Sequence, residues 1–194
     1  MPNIKIEAVI EALLLASEGP VSLSALHSGL YENFGLSQQA LLAKLNAMQS
    51  SMLNDHHRGV ELKEVANGFR LQSKSNVTPW LACWFSEHPR QLSRVLIETL
   101  SVIAYHQPVT RGDIEKMRGV STQNTVVRQL LDRGWVRVTG QKEAPGKPEL
   151  LGTTKAFLDY FNLKSLSELP KNIEKMNGRT TIKEHCNKAG VSGS

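Results

Sequence analysis

Zinc coordination and nucleophilic catalysis would rest on histidine, cysteine and serine, and the spacing of these residues in this 194-residue chain supports neither. The histidines are His27, His56, His57, His88, His106 and His185, and the cysteines are Cys83 and Cys186. A zinc centre needs about four ligands converging at ~2.0–2.3 Å. Cys83 with His88, and His185 with Cys186, are isolated pairs, and His56-His57 follows Asp55 where solvated polar residues are ordinary. No G-x-S-x-G elbow occurs, and Cys83 lies among Trp80, Trp84 and Phe85, the setting of an inert thiol. Gly146-Lys147-Pro148 lacks the glycine spacing and following Ser/Thr of a phosphate loop. The carboxylate pairs Glu61/Glu64 and Asp113/Glu115 read as solvated strand and helix charges. No nucleophile, base and orienting group come together, so the expectation is a protein that is not an enzyme and has no cofactor or metal.

Nucleic-acid binding is the chemistry that composition does invite, with a net charge of +5 and a pI near 9.3. The distribution weakens it. Residues 1–80 carry six basic and seven acidic groups, residues 81–170 twelve and nine, and residues 171–194 five and two. Base reading needs Arg, Lys, Asn or Gln on an exposed helix. The stretch from Gln38 to Gln49 offers one cation, Lys44. The stretch Thr122-Gln123-Asn124-Thr125 with Arg128 and Arg133, followed by Arg137 and Lys142, is the better candidate for weak, salt-sensitive DNA contact. A polar solvated helix face explains the same residues.

These side chains need elements to hold them. Ile6, Val9, Ile10, Leu13 and Leu14 recur at helical spacing, and Gly19-Pro20 stops that helix. Ser22 is placed to cap a second helix through about Leu30, and Ser37 a third carrying Leu41, Leu42, Leu45, Met48 and Met52. After Gly59 the period becomes two: Val60, Leu62 and Val65 alternate with polar residues, and Ala66-Asn67-Gly68 turns the chain into Phe69-Arg70-Leu71. The second half repeats this plan. A helix over about Ser93–Tyr105 turns Val95, Leu96, Thr99, Leu100, Val102 and Ile103 inward. Thr110 and Asp113 form a capping box for the next, and a third runs over about Gln123–Arg133, followed by Gly134. Trp135–Val138 and Pro148–Leu151 make a hairpin, and Lys155–Phe161 closes the unit.

Leu15–Ser22 also aligns without gaps on Ile103–Thr110, 88 residues later, which supports duplication. The expected architecture is mainly α with small β-hairpin wings (α+β), two tandem winged-helix domains and a flexible tail. The expected limits are 1–76, a linker with a short helix over 77–91, 92–170, and a disordered basic tail over 171–194. The sequence holds no apolar run of the ~18 residues a membrane span needs, no signal-peptide pattern, and no disulfide framework. A cytoplasmic protein is the expectation.

One stretch carries a sharper signal. It holds Glu98–Arg111, then Arg118-Gly119-Val120, then Leu130-Leu131-Asp132-Arg133-Gly134-Trp135. It continues with Pro145-Gly146-Lys147-Pro148, Leu151-Gly152-Thr153-Thr154, Phe157–Phe161 and Leu163–Pro170. This resembles the segregation and condensation protein B (ScpB) family, with looser agreement over Ile10–Ala16 and Gly68–Leu71. Lys147 stands where the family pattern has Arg.

The resemblance implies two winged-helix domains, a homodimer formed through the N-terminal ones, and binding to the kleisin ScpA. Through ScpA the protein would join an SMC ATPase in a nucleoid-associated complex for chromosome condensation and segregation, touching DNA indirectly. A winged-helix transcriptional regulator is the alternative. Tyr105, Gln107, Arg111, Arg118 and Tyr160 are the candidate kleisin surface, since aromatic and guanidinium groups dominate binding hot spots. Gly134, Pro145, Gly146, Pro148 and Gly152 are expected to shape the wing backbone.

Overall fold

The computed structural model describes residues 4–78, 80–81 and 92–170. The expected tail, most of the linker, and Cys83, His88, His185 and Cys186 lie outside the described residues. The fold is mainly helical with two small antiparallel hairpins, as expected, and two units draw on Met1–Glu87 with Asn162–Ser194, and on His88–Phe161.

In unit 1, helix α1 (Ile6–Ala16) buries Ile6, Ile10 and Leu14, while Leu13, expected inside, is 41% exposed. An i, i+4, i+8 stripe is enough for the inner face, and Leu13 lies beyond its edge. Helix α2 (Leu23–Phe34) starts where Ser22 Oγ accepts a bond from Ala25 N at 3.2 Å. It runs one turn beyond the expected end at Leu30, because Phe34 packs on the core and only Gly35, at φ 60°, ends it. Ser37 caps α3 (Gln38–Asn54) in the same way. Strands β1 (Val60–Val65) and β2 (Gly68–Ser73) pair with Leu62 opposite Leu71 and Val65 opposite Gly68. Leu62 and Phe69 complete a core of Leu26, Leu30, Leu41, Leu45, Met48 and Met52. Burying a side chain such as Phe69 contributes about 1.5–3 kcal/mol. Gly68 has φ 138° and its Cα faces Val21, so that a Cβ there would stand 2.1 Å from Val21 O. That close approach lets Val21 and Phe69 form a backbone bridge.

Unit 2 is built the same way from α4 (Arg94–His106), α5 (Arg111–Arg118) and α6 (Asn124–Asp132). Strands β3 (Val136–Gln141) and β4 (Glu149–Thr153) and helix α7 (Lys155–Tyr160) follow. Leu96, Leu100, Ile103, Ile114, Val127, Leu130 and Leu151 form the core. Val95, expected inward, is 42% exposed at the first turn of α4. Both bonds of the Thr110–Asp113 capping box are present. The β3–β4 register shifts between Val138 and Gly140, a bulge that bends the wing.

The second domain was expected to run to residue 170, but the chain divides at Phe161. Residues from Asn162 pair with the hairpin of unit 1: Ala66 N donates to Leu163 O at 3.1 Å, and Arg70 Nη2 to Asn162 Oδ1 at 2.6 Å. Lys164 also pairs with Glu64. Backbone groups of a hairpin turn need partners, and the segment from Asn162 supplies one through the Leu163 carbonyl, a contact no local pattern in the sequence marks.

Candidate partner interface

The five candidate kleisin residues belong to unit 2, and their neighbours divide them into separate groups. Tyr105 is half-buried near the end of α4, and burial pushes its phenol pKa up. Gln107 follows α4 and spends its amide internally. Its Nε2 donates to Thr153 Oγ1 at 2.9 Å and to Ala104 O at 3.3 Å, and its Oε1 accepts from Thr153 N at 2.7 Å. Gly152 makes room for this clamp, since a Cβ there would lie 2.9 Å from Gln107 Oε1 and from Thr139 Cγ2.

The two arginines stand at opposite ends of α5. Arg111 Nη1 donates to Asn124 Oδ1 at the start of α6. Arg118 is only 6% exposed at its side chain; its Nη2 meets Glu98 Oε2 at 3.2 Å and its Nη1 reaches Thr122 Oγ1 at 3.4 Å. The Arg94 bond and then the Arg118 bond hold the Glu98 carboxyl below its ordinary pKa. Tyr160 is exposed over half its surface and tilts against Trp135, with ring centroids 4.3 Å apart. Trp135 itself is buried, and Arg133 lies over it at 5.0 Å.

The DNA candidates are spread over α6 and the wing. Arg128 faces Asp132 at 3.9 Å, Arg133 is stacked on Trp135, and Lys142 Nζ lies 3.2 Å from Asp113 Oδ2. Arg137 is exposed on β3. Two of these four cations therefore have a carboxylate beside them, which lowers the positive potential a phosphate backbone would meet. Gly134 (φ 67°) and Gly146 (φ 81°) adopt left-handed backbone conformations, and Pro145 and Pro148 stand on either side of Gly146-Lys147. Among the described residues no group of three or more His, Cys, Asp or Glu could hold a metal ion.

Sequence reasoning overlooked Glu98, Asn124 and Trp135 as the partners that position Arg118, Arg111 and Tyr160. Glu98 had a usable local signal, its i+4 spacing from Arg94. Asn124 and Trp135 had none, because their contacts join elements far apart in sequence.

Residues 8–172 match the family model described as segregation and condensation complex subunit ScpB. The segregation and condensation protein B homolog of Coxiella burnetii is 43% identical over 171 residues, covering 88% of this chain and 80% of that one. The chain belongs to the ScpB family. Segregation and condensation protein B of Syntrophotalea carbinolica is 39% identical over 173 residues, covering 88% of this chain and 83% of its own. The crystal structure of ScpB from Mycobacterium tuberculosis is 30% identical, with a TM-score of 0.37, covering 81% of this chain and 95% of that one. The ScpB match spans both hairpin-bearing units. No helix among the described residues is long and apolar enough to cross a membrane.

Proposed function

We propose that this ScpB-family chain is a non-catalytic subunit of a bacterial SMC complex that binds the kleisin ScpA and takes part in chromosome condensation and segregation. The observation that carries this reading is the family match over both units, from residue 8 to residue 172. On this reading the protein acts through protein–protein surfaces, reaches the SMC ATPase through ScpA, and meets DNA within the assembly at the nucleoid.

The N-terminal domain, residues 1–76, is the proposed dimerisation unit. Helix α1 turns Ala8, Ala12, Leu15 and Ala16 to solvent, and Leu15 is 79% exposed. Its acidic residues are already engaged at the flanks, Glu7 with Lys44 at 2.8 Å and Glu11 with Arg58 at 3.0 Å. An outward helix face made of alanine and leucine suits a second copy better than water. In unit 2, Tyr105, Gln107, Arg111, Arg118 and Tyr160 remain the proposed kleisin surface, with Gln107 acting chiefly as a support.

The test is titration of the purified chain with ScpA from the same cell, followed by multi-angle light scattering, with duplex DNA titrated in parallel at near-physiological salt. A defined ScpA complex and little DNA affinity is the expected result. Tight duplex binding without ScpA capture would favour the regulator. The variant Arg111→Ala/Tyr160→Ala, shown to fold, should weaken ScpA binding at least tenfold, and unchanged binding removes these residues from the surface.

A further inference from the structure

We infer that the cleft at the head of α6 is a carboxylate-reading pocket, which receives an acidic side chain flanked by aliphatic residues on a partner protein. The cleft has a volume of about 360 Å³, and Ser93, Val95, Arg118, Val120, Gln123 and Gln129 are among its lining residues. That volume admits a side chain and some backbone, not a large cofactor.

The lining of the cleft includes one cation, Arg118, whose hydrogen bonding is incomplete. Arg118 is nine-tenths buried, and its Nε has no hydrogen-bond partner. A buried guanidinium N–H without an acceptor is unfavourable, and a carboxylate is the acceptor whose two oxygens match the guanidinium fork. Glu98 does not supply both oxygens, because its Oε1 accepts from Arg94 Nε at 2.7 Å while only Oε2 reaches Arg118. The Arg94–Glu98–Arg118 group therefore keeps one positive charge in excess. Glu115, the other carboxylate beside this loop, accepts from Thr122 N at 2.9 Å and Ser121 Oγ at 3.3 Å.

The first turn of α6 adds to this field. Its N-cap, Gln123, makes no side-chain capping bond, and Gln123, Thr125 and Val126 all line the cleft. The positive end of a nine-residue helix thus borders the same space as Arg118. The rim distinguishes a peptide from a free anion. Val95 is 42% exposed and Val120 54%, and both offer apolar area that only a ligand with aliphatic neighbours would cover. The long Arg118–Thr122 contact, 3.4 Å, is the one that yields as the guanidinium turns to its ligand. The identification of the partner as a kleisin rests on the proposed function; the chemistry of the pocket does not.

The test uses the full chain labelled with ¹⁵N, titrated to millimolar concentration with acetyl-Leu-Glu-Leu-amide and with its glutamine counterpart. Saturable shifts of the Arg118 Nε–H and of the Asn124 and Thr125 amides are expected with the glutamate peptide, at least tenfold weaker with glutamine. The variant Gln129→Glu places a fixed carboxylate at an exposed rim position, so the fold is kept while the glutamate-peptide response falls at least tenfold. No shift at these groups, or equal shifts with both peptides, overturns the pocket. With ScpA as the probe, Gln129→Glu should weaken binding at least tenfold. Equal ScpA binding by both forms overturns the kleisin as the occupant while the family function stands. If ScpA fails to bind even the unaltered chain, the proposed function fails, and the peptide titration still decides the pocket.

Discussion

Val109 and Leu151 exchange two backbone hydrogen bonds, at 3.1 and 2.8 Å, and Val21 exchanges two with Phe69, both at 2.9 Å. Val21 precedes the cap Ser22 and Val109 the cap Thr110, 88 residues later, so each unit joins the residue before its second helix's cap to the hairpin by an isolated β-bridge. The bridge satisfies backbone groups where helix and wing meet.

Gly68→Ala should destabilise unit 1 by about 2–4 kcal/mol, through positive-φ strain and collision with Val21 O. Gly35→Ala, where the space is open, should cost about 1 kcal/mol. Urea unfolding followed by circular dichroism compares the two. Equal losses would mean that the Val21 approach is not a constraint.

Gln107→Ala removes the clamp between α4 and β4 and should cost about 1–3 kcal/mol. Gly152→Ala should destabilise by crowding Gln107 Oε1 and Thr139 Cγ2. Because one clash disappears with the glutamine side chain, the double variant should fall short of the sum of the two by about 1 kcal/mol. Full additivity in a double-mutant cycle would show that the two positions do not touch.

Asp113 governs an acid-dependent part of unit 2 stability. Bonds from the Thr110 hydroxyl, then its backbone N–H, then Lys142 lower its pKa from 3.8 to about 2. A folded-state pKa below the unfolded one means the contribution is complete above about pH 4 and is lost as pH falls through 2. The melting-temperature advantage over Asp113→Asn should therefore be constant near neutrality and shrink between pH 4 and 2. An advantage that does not change over that range would contradict the capping assignment.

Leu15→Glu should turn the proposed dimer into a monomer without unfolding it, because Leu15 is 79% exposed in the single chain. Light scattering at micromolar concentration should show the mass halve. An unchanged mass would move the dimer contact away from α1.

Local chemistry was legible in the sequence wherever it acts over a few residues. Ser22, Ser37 and Thr110 cap the helices they precede, Ala66-Asn67 turns the first hairpin into Gly68, and Ile10, Leu45, Leu100 and Leu130 lie inside as their periodicity requires. These follow from hydrogen-bond geometry and helical period, which a single segment carries whole. Tertiary structure decided what depends on distant partners. It gave Gln107 internal partners in Thr153 and Ala104, buried Arg118 beside Glu98, and drew the segment after Phe161 onto the hairpin of unit 1. A long polar side chain reaches across elements, and its partner is chosen by how those elements pack, which no local pattern encodes.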